Sequence, residues 1–369
     1  MAAPTTTTTT PSPIPRDPPF SLTLHPNPSP GRIFLRSQFL ARRPPLPPSV
    51  SLAGQSALIT GASTGLGLRA SRQLLALGLS RLILAVRDPT RAEGVAGELR
   101  GEFPGARVEV WEVEMGRYES VVGLVGRVEG EFNKRGERLH VVVLNAGMAA
   151  AEFERSEETG HERVVQVNYL GTVLLAVLLL PLLRDRTGAR PGRLTIVSSG
   201  GVFNAKLPNR GARPFLESFD DEEALPWDPT ERYFASKVLG MLFFVRLLEY
   251  LPPADELIVN LVDPGFCKGT ELHRESTGAA KTVFSLAKTL TGRSLEDGAS
   301  TYVDAAVIKG KESHGCFVMD WKIFPFYYAV YEPEGAELMD TLFEETMAEL
   351  EFAGVRNILE GIKAEAGGK

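Results

Sequence analysis

The chain of 369 residues is 43% hydrophobic and 23% charged, an ordinary composition for a soluble globular protein with one large domain or two smaller ones. Its net charge of −6 argues against a nucleic-acid-binding surface, and two cysteines with five scattered histidines argue against a disulfide framework and a zinc cluster. The longest apolar run, Leu170 to Leu183, is too short to span a bilayer. We therefore expect a cytoplasmic protein with neither a transmembrane segment nor a nucleic-acid partner.

The first 50 residues differ in composition from the rest. They hold half of the chain's 26 prolines and a run of six threonines, Thr5 to Thr10. Such a segment cannot bury enough apolar surface to form a core, so we predict that residues 1–50 are extended or disordered. Its arginines and hydroxyls are shared with organelle presequences, but the prolines oppose the amphipathic helix that import requires. An apolar patch at 33–40 is the part suited to pack on the domain.

From Ser51 onwards, apolar runs alternate with helical patterns. The apolar runs predict seven strands, at 55–60, 81–86, 107–113, 139–144, 193–197, 256–262 and 315–319. Strands that alternate with helices form a parallel sheet covered on both faces, so we predict a single doubly wound α/β domain of the Rossmann type over residues 51–355. Residues 356–369 are predicted to be a flexible tail.

A glycine-rich turn follows the first predicted strand and opens the first helix, with the sequence Thr60-Gly61-Ala62-Ser63-Thr64-Gly65-Leu66-Gly67. Glycines permit a tight turn and close backbone approach to a ligand, and a helix N-terminus offers free N–H groups to a pyrophosphate. This turn is therefore predicted to bind a dinucleotide. The residues predicted to contact it are Gly61, Ser63, Thr64, Gly65, Leu66 and Gly67.

Polar residues at the carboxyl ends of the following strands extend the predicted cofactor site. Arg87 stands at the tip of the second strand, where an arginine accommodates the 2′-phosphate of NADP; an acid there, such as the adjacent Asp88, would bind the ribose hydroxyl of NAD. We favour NADP(H). Glu114 follows the third strand and is placed to accept from the adenine amino group. Asn145-Ala146-Gly147 follows the fourth and would let the backbone approach the ribose.

A later helix carries a tyrosine and a lysine on one face. Asp228-Pro229 has the pattern of an N-cap and first helical residue, so Tyr233 and Lys237, four positions apart, point the same way. A phenol has a pKa of about 10, and a neighbouring ammonium favours its ionised form. We expect Lys237 to lower the pKa of Tyr233 and make it a usable acid–base group. The pair alone is weak evidence, because surface helices show the same spacing.

Taken together, the motifs resemble the short-chain dehydrogenase/reductase family, and within it the retinol-dehydrogenase-like members from fungal secondary metabolism. They occur in the family's order between residues 51 and 275. The motifs are Thr60-Gly61-x3-Gly65-x-Gly67, Asn145-Ala146-Gly147, Asn168, Ser198-Ser199, Tyr233-x3-Lys237 and Pro264-Gly265.

The resemblance implies a role for each catalytic candidate. Tyr233 would protonate the carbonyl oxygen as hydride arrives from the nicotinamide, and Lys237 would also bind the nicotinamide ribose. Of two adjacent serines, the family pattern selects Ser199 over Ser198 to orient the substrate oxygen. Asn168 would hold a water that relays protons to Lys237.

The chain departs from the family pattern in three places. The Pro264-Gly265 pair would line the nicotinamide, but one extra residue precedes Thr270, whose cofactor contact we leave open. Glu114 replaces an aspartate, and its longer arm is expected to reach the adenine. The loop from Gly200 to Asp228 is longer than usual, and we interpret it as a wall of the substrate site, with a surface excursion as the alternative. Its aromatic residues are Phe203, Phe215, Phe219 and Trp227.

The resulting prediction is an NADPH-dependent reductase of a ketone or aldehyde of a small to medium apolar metabolite, or the enzyme for the reverse alcohol oxidation. The alternative is a catalytically silent NAD(P)-binding regulator on the same fold; such proteins usually lose the tyrosine or the lysine. The family often forms homodimers through two long helices, at 160–184 and 230–250 here. Both are also apolar enough to be the core of a monomer.

Overall fold

One sheet runs through the structure, a computed structural model that describes residues 18–24, 29–270 and 291–367. Its strands are β1 Ser56–Thr60, β2 Arg81–Val86, β3 Arg107–Glu112, β4 Val141–Leu144, β5 Gly192–Val197, β6 Leu257–Asp263, β7 Phe317–Met319 and β8 Lys322–Phe324. They lie in the order β3-β2-β1-β4-β5-β6-β7-β8, and all neighbours are parallel except β7 and β8. The predicted doubly wound fold is confirmed, with eight strands.

Helices cover both faces of the sheet. They are α1 Phe20–Thr23, α2 Pro30–Leu35, α3 Gly65–Ala76, α4 Pro89–Glu102, α5 Tyr118–Arg135, α6 Arg163–Val165, α7 Gly171–Leu183, α8 Pro229–Leu247, α9 Leu295–Val303, α10 Pro333–Glu349 and α11 Val355–Gly367. Two apolar clusters fill the space between sheet and helices, one on each side. Every residue of β1 and β2 is buried, which is why these strands are continuous apolar runs instead of alternating ones.

Residues 30–40 and 355–367 are more regular than predicted. Residues 30–40 form α2 and a π-helical turn, so the prediction of an extended or disordered segment is wrong there. The expected packing of the apolar patch at 33–40 on the domain is confirmed by the burial of Ile33 and Ser37. The predicted flexible tail is also wrong, because α11 packs on α7 and buries Leu359 and Ile362. Both segments gain their order from contacts with distant parts of the chain, which local composition does not reveal.

The two long helices considered for pairing belong to the core of the single chain. α11 packs on α7, and α10 packs on α8. The stretch Arg163–Leu183, which contains α7, is long and apolar enough to cross a membrane, yet 89% of its apolar window is buried inside the fold. The structure therefore has these helices as core elements, covered by the chain's own C-terminal helices.

Candidate active site

A cavity of about 1130 Å³ lies at the carboxyl ends of the parallel strands. This is where open α/β sheets bind their ligands, and the volume suffices for a dinucleotide with a substrate. The cavity is lined by every residue predicted from the sequence to take part in catalysis or to bind the cofactor, except Gly67 and Asn168. Those two lie just behind the lining and support it, as described below.

The glycine turn is built to receive a pyrophosphate. Gly61 and Gly65 have φ of +64° and +56°, the left-handed region that glycine adopts without strain. α3 begins at Gly65, and among the described residues the side chain of its N-cap, Thr64, makes no capping hydrogen bond. A Cβ on Gly67 would lie 2.5 Å from the carbonyl oxygen of Gly61. These uncapped N–H groups on a closely packed turn fit a dinucleotide phosphate.

Asn145 holds that turn against the sheet. Its Nδ2 donates to the carbonyl oxygens of Thr60 (2.9 Å) and Gly61 (3.2 Å), and its Oδ1 accepts from the hydroxyl of Tyr302 (3.0 Å). The backbone N–H groups of Asn145 and Ala146 both donate to Thr60 Oγ1 at 2.9 Å. Tyr302, on α9, is a supporting residue that sequence reasoning missed, because nothing in its helix pattern marks it.

Arg87 and Asp88 have different surroundings at the tip of β2. Arg87 lines the cavity, is about half exposed, and pairs with Glu114 at 3.5 Å (Nε to Oε2). Asp88 is the N-cap of α4, and its side chain accepts from the N–H of Arg91 at 3.0 Å. Glu114 also accepts from the N–H of Gly116 at 3.1 Å. Both residues line the cavity, but the carboxylate of Asp88, the acid that would favour NAD, is engaged as a helix cap.

Tyr233 and Ser199 meet at the opposite end of the cavity. α8 begins at the predicted Asp228 cap, which accepts from the N–H groups of residues 230 and 231. The Ser199 hydroxyl is hydrogen-bonded to the Tyr233 phenol and accepts from the N–H of Gly201 at 3.0 Å. Burial raises the pKa of Tyr233 to about 12, although the bond to Ser199 lowers it. The predicted lowering of the Tyr233 pKa is wrong here, because burial outweighs the bond to Ser199, and the phenol is protonated at neutral pH.

Lys237 and Asn168 lie at the same end of the cavity as Tyr233. Burial lowers the pKa of Lys237 to about 8, and its Nζ donates to the carbonyl oxygen of Val197 at 3.0 Å. Asn168 Oδ1 accepts from the N–H of Met148 (2.8 Å), and Nδ2 donates to the Met148 carbonyl (2.8 Å) and the Ser236 hydroxyl (2.9 Å). Both amide hydrogens are therefore used, so a relay water would have to bond an oxygen of Asn168. That role stays a prediction.

Comparison with known proteins identifies the chain. The short chain dehydrogenase family model matches residues 55–207. The short chain dehydrogenase/reductase mfmJ of Annulohypoxylon moriforme is 46% identical over 331 residues, covering 89% of this chain and 94% of that protein. The chain belongs to the short-chain dehydrogenase/reductase family. The short chain dehydrogenase virL of Hypocrea virens is 37% identical over 333 residues, with the same coverage. The predicted placement with fungal family members is confirmed.

Solved structures agree on the fold of this family member. The 3-quinuclidinone reductase of Rhodotorula rubra superposes with a TM-score of 0.55 at 20% identity, covering 79% of this chain and 99% of that chain. The L-sorbose reductase of Gluconobacter frateurii superposes with a TM-score of 0.53 at 23% identity, covering 73% and 97%. The family's sheet and its surrounding helices are therefore reproduced over most of the chain.

The long loop of this dehydrogenase/reductase does not form the predicted aromatic wall. Within the described part of the chain, none of its four aromatic side chains lines the cavity; Phe203, Phe215 and Phe219 are buried in the larger core cluster. The indole N–H of Trp227 donates to the carbonyl of Ala151 at 2.9 Å. The loop contributes instead its first turn, through Gly200, Gly201 and Asn204. The three phenylalanines of the loop are therefore packed against the hydrophobic core and not against the cavity.

The loop after β6 also lines the cavity of this family member. Pro264, Gly265, Phe266 and Thr270 all line the cavity, and the Thr270 hydroxyl donates to the carbonyl of Cys267 at 3.5 Å. The rest of the irregular region, 271–290, lies outside the described residues. Thr270 therefore lies at the cavity.

Proposed function

We propose that the protein is an NADPH-dependent reductase that converts a ketone or aldehyde of an apolar metabolite to the alcohol. One observation carries this proposal: a protonated phenol, Tyr233, is hydrogen-bonded to the Ser199 hydroxyl in a cavity whose other end has a phosphate-binding turn. A protonated acid beside a hydroxyl suits donation to a carbonyl oxygen. We further propose a cytoplasmic role in secondary metabolism, as the resemblance implied.

The residues divide the chemistry among them. Bound NADPH supplies the hydride for the carbonyl carbon. Ser199 holds the carbonyl oxygen by a hydrogen bond, and Tyr233 donates its phenolic proton to that oxygen, a contribution worth about 10²–10⁴-fold in rate. Lys237, charged below pH 8, binds the ribose hydroxyls and stabilises the phenolate that remains. Asn168 bonds Met148 and Ser236 beside them, and in this proposal an oxygen of Asn168 holds the relay water.

A carbonyl panel tests the proposal directly. Oxidation of NADPH is followed by absorbance with aliphatic, alicyclic and aromatic ketones and aldehydes. Turnover of at least one apolar ketone is expected. Tight NADPH binding without turnover of any panel member would contradict the reductase and favour the silent regulator.

The cofactor preference is predicted to depend on Arg87. The 3-quinuclidinone reductase is described as NADPH-dependent and the L-sorbose reductase as complexed with NADPH, which supports the same cofactor here. Arg87→Ala is expected to weaken NADPH binding by about tenfold and leave NADH binding within about twofold, because only NADPH carries the 2′-phosphate. Fluorescence titration measures both. The matched control is Arg69→Ala, on an exposed position of α3; equal losses for both cofactors would contradict the assignment.

The pH profile is predicted to report Lys237. The kcat/KM for NADPH follows ionisations of the free enzyme. Because burial lowers the pKa of Lys237 to about 8, its ammonium is present below that pH and lost above it. We expect kcat/KM for NADPH to be constant near neutrality and to fall about tenfold per pH unit well above 8. Lys237→Arg keeps its charge, so its profile should lose the fall; a wild-type profile that stays flat to about pH 10 would contradict this role.

A further inference from the structure

The N-terminal helical segment, residues 30–40, forms one wall of the cavity. Its lining residues are Pro30, Ile33, Phe34, Ser37 and Gln38. The segment winds as α2 followed by a π-helical turn, so these positions fall on one side of it. Leu35 and Phe39, in the same segment, are 57% and 51% exposed and do not line the cavity. The segment therefore has a cavity side and an outer side.

The wall lies at the substrate end of the cavity. α2 packs against the turn at 200–204, which follows directly after Ser199. The ring of Phe34 lies 5.9 Å, centroid to centroid, from that of Phe266, which follows the Pro264-Gly265 pair. Ser199 holds the reacting oxygen in the proposed reaction. The segment thus contacts both elements that flank the reacting atoms.

A buried polar clasp fixes the segment in this place. The carbonyl oxygen of Ser37 accepts from Arg293 Nη2 at 2.7 Å, and its hydroxyl donates to Asp320 Oδ1 at 2.8 Å. Arg293 and Asp320 form an ion pair, and the guanidinium stacks over Trp321 at 4.9 Å. Ser37 and Arg293 are 2% and 8% exposed. Breaking a buried pair of this kind is costly, so the segment is part of the folded domain.

A second contact joins the segment to the loop after β6. With its amide oxygen facing the N–H of Phe266, Gln38 bonds both the N–H and the carbonyl of that residue at 3.1 Å each. The side-chain amide of Gln38 thus bonds the N–H and the C=O of one residue, as a neighbouring strand does in a sheet. The position of Phe34 against Phe266 is therefore held from two sides, by the clasp and by Gln38.

We propose that the N-terminal helical segment is part of the substrate site and sets its specificity. Phe34 and Ile33 contact the carbon skeleton of the carbonyl substrate on the side facing away from the sheet. Since both are apolar and Phe34 presents a ring beside Phe266, the segment selects flat, bulky apolar ketones over small ones. This inference rests on the proposed reductase function and names the part of the chain that chooses its substrate class.

The test compares two phenylalanines of the same segment. Phe34→Ala removes a ring that lines the cavity, and Phe39→Ala removes a ring of the outer side, so the pair is matched in chemistry. Each protein is loaded with NADP⁺, and the dissociation constants of 2-acetonaphthone and cyclohexanone are measured by calorimetry. This binding needs no turnover. Reduction of the same ketones with NADPH gives kcat/KM in parallel.

Phe34→Ala is expected to weaken 2-acetonaphthone binding about tenfold and cyclohexanone binding less than about twofold. Its affinity for NADPH should stay within about twofold of wild type, and Phe39→Ala should leave all constants within that range. If Phe34→Ala does not fold, Phe34→Leu replaces it, with an expected loss of about threefold.

Equal affinities of the Phe34 variant and wild type for 2-acetonaphthone would overturn the inference, as would a wild type that binds neither ketone. A wild type that binds 2-acetonaphthone without reducing it would instead contradict the reductase proposal, while the comparison of affinities still decides the role of the segment.

Discussion

Replacing Tyr233 by phenylalanine is expected to lower kcat for ketone reduction by about 10²–10⁴-fold while the dissociation constant of NADPH stays within about twofold. The substitution removes one hydroxyl, the proton donor, and keeps the ring that lines the cavity. Because the pKa of Tyr233 is raised to about 12, the donor is fully protonated in the wild type at neutral pH. The loss should therefore be the same at pH 6 and pH 8, and single-turnover rates at saturating NADPH measure it.

The matched control is Tyr250→Phe. Tyr250 stacks on Phe343, with ring centroids 5.5 Å apart, and does not line the cavity. The same hydroxyl is deleted there, so kcat should change less than about twofold. A Tyr233→Phe enzyme that keeps more than about a tenth of wild-type kcat would contradict the role of the phenol as proton donor.

Replacing Gly67 by alanine is expected to abolish measurable NADPH binding. The new Cβ would lie 2.5 Å from the carbonyl oxygen of Gly61 and 2.7 Å from Asn145 Nδ2. One contact is with backbone, and Asn145 is already bonded to the turn and to Tyr302, so neither neighbour can yield without moving the turn. Displacing α3 from the turn misplaces the N–H groups proposed to hold the pyrophosphate. Fluorescence titration with NADPH measures the loss.

The control is the same substitution on another helix. A Cβ on Gly97, in α4, would meet no described atom within 4 Å, and its position is exposed. Gly97→Ala should leave NADPH binding unchanged and raise the free energy of unfolding by roughly 0.5–1 kcal/mol, since alanine favours a helix interior. Thermal unfolding of both variants separates a binding defect from a folding defect. A Gly67→Ala protein that binds NADPH within about threefold of wild type would refute the close-packing argument.

The parts of the site that the sequence predicted are those encoded by neighbouring residues. The glycine turn from Gly61 to Gly67 has both its strand and its helix adjacent in the chain. The shared face of Tyr233 and Lys237 likewise requires only one helix. The start of that helix is marked by the short local motif that begins with its N-cap, Asp228. Their arrangement in the cavity followed from the rule that parallel strands bring their carboxyl ends to one edge.

The remaining features depend on what each residue meets in space. Tyr302 reaches Asn145 across 157 positions of chain, and no periodicity reports such a partner. The rings of Phe215 and Phe219 were expected in the substrate wall, yet they point into the core, because an irregular loop gives no register to assign its faces. The raised pKa of Tyr233 was also not predicted, because it results from burial, and the local sequence does not show how deeply a side chain is buried.

The clasp between Ser37 and the Arg293–Asp320 pair also orders events during synthesis. Residues 30–40 leave the ribosome among the first, but their partners lie 256 and 283 positions later. During synthesis β1 to β6 can form while Ser37 still lacks both partners of the clasp, although two other contacts of the segment, the turn at 200–204 and Phe266, have already been made. A chain that ends before residue 293 would lack both partners of Ser37. The N-terminal helical segment is thus among the first parts of the domain to be made, and its buried polar clasp is among the last to form.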